Sequence, residues 1–247
     1  MAIVDCNHNV FFYVNDSEFP DVIHEFFTQA IDLGHPMVLI MSRQHRILFE
    51  KHLRSNYIDP HAMESARLLV QRDATETLNR FFRGRTFNRA VFKDVVGGVI
   101  THTQKFHCGR PTWAYGEMVD LLQKRGLREE AIELEHMWNE LAHEIKFSLL
   151  CGYELDPIND FVDPEFVATA CKAHAKVFTL PREAKRLAKV RNALNLRLGE
   201  NATSELWESA CSYRKELPQA FSVLAWLRQH YPEVAQSLFS APSVPTH

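Results

Sequence analysis

The stretch Pro36-Met37-Val38-Leu39-Ile40-Met41-Ser42 is apolar at every interior position and follows Gly34 closely. A half-exposed strand alternates polar and apolar residues. A run without alternation is covered on both faces, as at the centre of a parallel sheet lined by helices. The flanks agree. Upstream, Phe19, Val22, Ile23, Phe26, Phe27, Ala30 and Ile31 recur at helical spacing, and Pro20 sits in the first turn. Asp16 or Ser17 stands where a cap is needed, and Gly34 closes the helix. Downstream, Gln44 to Asn56 reads as a helix with Ile47, Leu48 and Leu53 inward. Farther upstream, Val10-Phe-Phe-Tyr-Val14 is β-branched and aromatic and reads as the first strand.

The alternation continues outward. Ala66 to Gln71 reads as a third strand. Ala74 to Phe82 and Phe87 to Phe106 read as helices about a turn at Gly84. Pro111 to Tyr115 is a fourth strand, Met118 to Lys124 and Glu129 to His143 are helices around Gly126, and Phe147 to Tyr153 is a fifth strand. Strands that alternate with helices form βαβ units, so the fold class is α/β with a mainly parallel sheet flanked by helices. After Glu154 come Pro157, Pro164 and several acids, and then only helical patterns: 165–177, 182–198, 204–217, 219–230 and 233–239. The expected organisation is a sheet domain over 1–160, an all-helical C-terminal extension over 161–240 and a disordered tail over 241–247. Leu187, Leu194, Leu206, Trp207, Phe221, Leu224 and Leu227 are too many large apolar groups to leave in water. The extension is therefore expected to dock on the sheet domain or on a second copy, as in a homodimer.

Of the 247 residues, 46% are hydrophobic, which supplies a core for one large domain or for a domain with an appendage. A net charge of −3 gives no global field toward DNA or an anionic membrane. Apolar runs such as Met37 to Met41 fall far short of the roughly 20 residues of a membrane span. The N-terminal MAIVDCNHNV has no basic stretch followed by a long apolar one, so a cytoplasmic protein is expected. Five widely spaced cysteines without a CxxC read as free thiols.

The chemistry is sought beyond the carboxyl ends of the strands, where open α/β sheets bind ligands. The turn after the first strand, Tyr13 to Val22, has neither glycine nor lysine and carries Asp16, Glu18 and Asp21, which repel phosphate. GxGxxG, GxSxG and HExxH are absent as well, so neither a nucleotide cofactor nor enzymatic activity is expected. His102, His107 and Cys108 do not share a helix face, so no metal is expected there. Glu133, Glu135 and Glu140 read as the solvated face of one helix. Glu117 differs, because it follows Gly116 at the end of the fourth strand. His45-Arg46 and Asp73 follow the second and third strands in the same way. Together with Tyr115 and Trp138 they define an expected ligand pocket: His45, Arg46, Asp73, Tyr115, Glu117 and Trp138. Arg46 is expected to pair with Glu117 or Asp73. The helix with Arg182, Lys185, Arg186, Lys189, Arg191 and Arg197 admits an alternative, a nucleic-acid-binding regulator, although a solvated basic face is the plainer reading.

These segments form an ordered set: His8-Asn-Val-Phe-Phe-Tyr13, Gly34 to Arg46, Asp73-Ala-Thr-Glu-Thr-Leu78, Tyr115-Gly116-Glu117-Met118-Val119, Leu134-Glu135 with Trp138-Asn139-Glu140-Leu141, Leu149-Leu-Cys151-Gly-Tyr153 and Cys171-Lys-Ala-His174. The set resembles the MEDS domain, the methanogen/methylotroph, DcmR sensory family, over roughly residues 6 to 180. The resemblance implies a RecA/KaiC-like sheet without a working phosphate loop, and a sensory role toward small organic molecules or a signalling protein partner. It also marks departures. The family often has Phe where Tyr115 stands and Ala where Gly152 stands.

Overall fold

The computed structural model describes residues 7–13, 16, 18–155, 163–178 and 181–239, without the side chains of 181–186, 189 and 236–239. The chain forms two compact units, Met1–Glu154 with Ala173–Val177, and Leu155–Lys172 with Phe178–His247.

In chain order the elements begin with β1 (His8–Tyr13), α1 (Phe19–Leu33), β2 (Met37–Met41), α2 (Arg43–Ser55), α3 (Pro60–Ser65), β3 (Leu69–Asp73) and α4 (Ala74–Phe81). A hairpin of β4 (Phe82–Arg83) and β5 (Thr86–Phe87) follows, then α5 (Arg89–Phe92), a π-helical turn over Lys93–Gly97 and α6 (Gly98–Phe106). Then come β6 (Thr112–Gly116), α7 (Met118–Lys124), α8 (Arg128–Glu144), β7 (Phe147–Glu154), α9 (Pro164–Ala173) and β8 (Lys176–Val177). Six strands make one parallel sheet in the order β3-β2-β6-β7-β1-β8. The α/β class read from the sequence is the observed one. β2 is buried at every position between β3 and β6, as its unbroken apolar run requires. Ser42, Asp73 and Asn88 cap their helices through side-chain oxygens.

Four local expectations are corrected. Ile47, expected inward, is exposed, and Phe49 is buried on α2 instead. The turn at Gly84 belongs to a hairpin and does not simply join two helices. Gly84 and Arg85 both have positive φ, 55° and 64°, the backbone of a two-residue turn matched to strand twist. The helix expected over Phe87 to Phe106 is broken by the π turn, which sets Gly97 against α8. A Cβ there would stand 2.9 Å from Leu141 Cδ1. The helix expected to run to Val177 ends at Ala173, and Lys176–Val177 instead pair with Asn9 and Val10 along the open edge of β1.

The second unit contains α9, apart from its last residue, with α10 (Pro181–Leu198), α11 (Glu200–Ser212), α12 (Gln219–His230) and α13 (Pro232–Phe239). Val190, Leu194, Ala210, Val223, Leu224, Trp226, Leu227 and Ala235 form its core, with Leu187, Leu206 and Trp207 packed against it. The large apolar groups thus bury one another, so their burial does not by itself call for another surface. The tail expected over 241–247 lies outside the described residues.

Candidate functional site

The sheet order creates a point of divergence. β2 and β6 are neighbours, with Ile40 opposite Gly116. The chain leaves β2 through α2 toward β3 on one side, and leaves β6 through α7 and α8 toward β7 on the other. In open α/β sheets, ligand sites lie at the carboxyl edge where such connections part. His45 and Glu117 meet at that edge. Ser42 caps α2 by accepting from His45 N (3.2 Å), which places His45 in the first helical turn. Glu117 N donates to Ile40 O (3.1 Å) and so extends the β6 ladder by one residue, carrying its carboxylate to the start of α2.

There Glu117 Oε1 accepts the Ser42 backbone N–H, and Oε2 lies 2.5 Å from His45 Nδ1. The other ring nitrogen, Nε2, lies 3.1 Å from Asp16 Oδ1, while Asp16 Oδ2 accepts from Gln44. Glu117 is 2% exposed and His45 5%. The imidazole lies flat on Phe19, with centroids 4.0 Å apart, and meets Tyr13 edge-on at 5.8 Å. The Glu117 carboxylate occupies the position where a helix N-terminus attracts an anion.

Both ring nitrogens of His45 face carboxylate oxygens, so both carry protons. Burial alone would lower the pKa of this ring. The hydrogen bond and charge of Glu117, joined by Asp16, outweigh burial and hold it above the ordinary 6.5. The sign of the pH dependence follows. A folded-state pKa above the unfolded one gives stability that is complete below pH 6.5 and lost as pH rises through the folded value. The melting temperature of the full chain is therefore expected to fall as pH is raised from 6.5. His45→Gln should flatten that fall, and a profile identical in the two proteins would contradict it.

The other expected pocket residues are placed differently. Tyr115 is fully buried, and its ring stands edge-on to Phe19 at 5.5 Å. Among the described residues its hydroxyl, like that of Tyr13, has no hydrogen-bond partner. Burial and the Glu117 charge push the Tyr115 phenol well above its usual value, so it is a neutral donor. Trp138 is also fully buried, packed against Gly116. A Cβ on Gly116 would stand 3.3 Å from its Cζ2. Asp73 lies at the same sheet edge, opposite Met41, but its carboxylate caps α4 through Glu76 N (2.8 Å). Among the described residues no ion pair joins Arg46 to Glu117 or Asp73. The expected Arg46 pairing is replaced by His45, because Glu117 is aimed at the first turn of α2. Asp16, Phe19 and Tyr13 join the site without being singled out by the sequence. Asp16 stands where a cap is expected, yet α1 shows no side-chain cap among the described residues, Ser17 lies outside them, and Asp16 serves His45 instead.

A second polar cluster lies inside the first unit. Glu135 does not sit on a solvated face; it is fully buried, whereas Glu133 is half-buried, Glu140 is exposed, and both pair with Arg89. Helical spacing from Glu135 to Trp138 was the available signal that Glu135 points inward. Around it gather His8 from β1, Cys151 from β7 and His174 before β8, with ligand-capable atoms all within 4.8 Å of one another. Tyr153 donates to Glu135 Oε1 (2.7 Å). Burial tends to raise the pKa of Glu135, but His174 and His8 overcome it and hold the carboxylate well below its usual range. Burial together with Glu135 pushes the Cys151 thiol well up. A groove of about 670 Å³ runs along β3, lined among others by Arg67, Arg72, Arg80, His102 and Phe106, and none of the expected pocket residues line it.

Comparison with known proteins adds one finding. Residues 7–175 match the family model of the MEDS domain, the methanogen/methylotroph, DcmR sensory domain. No curated protein and no solved structure matches the chain.

Proposed function

Because the chain belongs to the MEDS family of sensory domains, we propose that it is a non-enzymatic signalling module whose input is a small organic molecule read at the crevice between β2 and β6. The observation that supports this reading is the Asp16–His45–Glu117 chain of hydrogen bonds, buried at Glu117 and reaching the half-buried Asp16, at the point where the sheet connections diverge. Glu117 there satisfies the donors, Ser42 N–H and His45 Nδ1–H, that a ligand's acceptor group would use. Phe19, Tyr13 and Tyr115 supply an aromatic wall for an apolar body. A ligand that competes with Glu117 frees the α7 end of β6 from α2. That is a local two-state event of the kind signalling requires. The helical second unit is the proposed route to a protein partner. No described helix is long and apolar enough to cross a membrane.

The test is a thermal-shift panel of short-chain carboxylates, alcohols, amides and amines on the full chain. A subset with an acceptor group is expected to raise the melting temperature, and His45→Ala is expected to abolish the rise. If no compound shifts wild type, or if the shifts survive in His45→Ala, the reading fails.

A further inference from the structure

We propose that His8, Glu135, Cys151 and His174 bind one divalent transition-metal ion of the zinc class, closing the sheet unit around its last strand.

The donor atoms already converge. His8 Nε2 stands 3.3 Å from Glu135 Oε2 and 3.2 Å from Cys151 Sγ, and His174 Nε2 stands 3.3 Å from the same Glu135 Oε2. Around a tetrahedral zinc ion with bonds of about 2.0–2.3 Å, neighbouring ligand atoms are about 3.3–3.8 Å apart. These contacts therefore sit at the spacing of a coordination shell. Among the described residues Glu135 Oε2 accepts no hydrogen bond, although it is buried with two imidazole nitrogens beside it.

The surrounding groups orient the ligands as metal ligands are oriented. Asn139 donates through Nδ2 to Ala173 O (2.8 Å), which turns its Oδ1 toward His8 Nδ1 at 2.9 Å. His8 Nδ1 therefore carries the proton, and Nε2 presents a bare lone pair to the cluster. A hydrogen-bonded far nitrogen of this kind is what fixes the tautomer of a metal-bound histidine. Tyr153 holds the other oxygen of Glu135 and leaves Oε2 facing inward.

Charge points the same way. Glu135 is fully buried, and among the described residues no lysine or arginine pairs with it. On binding, the Cys151 thiol gives up its proton, and the carboxylate and thiolate then match the charge of a divalent cation in a site where an uncompensated charge is costly. Two imidazoles, one thiolate and one carboxylate suit zinc among divalent ions. All four positions come from the protein, so the site is closed. Its ligands lie on β1, α8, β7 and the stretch before β8, and binding ties that returning segment to the sheet.

The test uses the full chain, reduced and stripped of metal with a chelator, then titrated with Co²⁺. One equivalent is expected to bind, with a thiolate-to-cobalt charge-transfer band and the ligand-field absorption of four-coordinate cobalt, and Zn²⁺ should displace it mole for mole. Cys151→Ser should abolish the charge-transfer band, and substitution of the exposed Cys108, Cys108→Ser, should keep it. Asn139→Ala retains all four ligands, so it should keep the band while weakening zinc binding roughly 10- to 100-fold. This variant and Cys108→Ser decide the matter even if Cys151→Ser does not fold. Failure to bind one equivalent, a band that survives in Cys151→Ser, or a band lost in Cys108→Ser would overturn the site.

Discussion

Glu117→Ala is expected to destabilise the full chain by about 3–5 kcal/mol, because it leaves one partner of a buried charged pair behind. Ser42 loses the acceptor for its backbone N–H, and the His45 ring keeps only Asp16. At about 2–4 °C per kcal/mol, the melting temperature should fall by roughly 10 °C. The crevice reading adds a second outcome. The substitution opens a carboxylate-sized space lined by two donors, so millimolar formate or acetate should recover part of the loss in Glu117→Ala and recover none in Asp73→Ala. Asp73 caps α4, and its replacement should cost about 1 kcal/mol whether or not an anion is present. A Glu117→Ala protein as stable as wild type would mean that the pair contributes nothing.

Gly152→Ala is expected to cost about 3 kcal/mol, with partial repair by Tyr115→Phe. A Cβ at position 152 would lie 2.6 Å from Phe11 Cε1 and 2.7 Å from the Tyr115 hydroxyl oxygen, inside a packed interior. Overpacking of this kind typically costs about 1–3 kcal/mol, and here two rings must move. Tyr115→Phe alone removes a buried hydroxyl that has no hydrogen-bond partner among the described residues, and should be neutral within about 1 kcal/mol. In the double variant the methyl takes the volume that the hydroxyl left. Phe11 must still yield, so the coupling should be about 1–2 kcal/mol and not full rescue. Urea denaturation of the four proteins measures it, and strictly additive effects would contradict the shared volume. A methyl at position 152 and the Tyr115 hydroxyl compete for the same space.

The central sheet was legible because β2 is buried on both faces and its sequence has no alternation to misread. The short elements were not. β8 contributes only Lys176 and Val177, and its pairing is set by the open edge of β1, not by local propensity. At the site, His45 and Glu117 were visible from position alone, since both follow strands that end at one edge. The choice of partner was not, because Arg46 is next to His45 in sequence and only the helical phase of α2 decides which of them faces Glu117. Asp16 escaped because a carboxylate before a helix is normally a cap. The second cluster escaped for a different reason. Its four residues come from segments far apart in the chain, and only the parallel pairing of β1 with β7 brings His8 near Cys151.

The most direct measurement is ¹⁵N NMR of the His45 imidazole in the full chain, alone and with each compound of the panel that raises the melting temperature. At pH 6.5 most of the ring population should have both nitrogens protonated, as its position between Glu117 and Asp16 requires, and a stabilising compound should change the Nδ1 resonance while leaving those of His102 and His107 unmoved. A neutral His45 with one bare nitrogen at that pH, indifferent to every stabilising compound, would contradict the account.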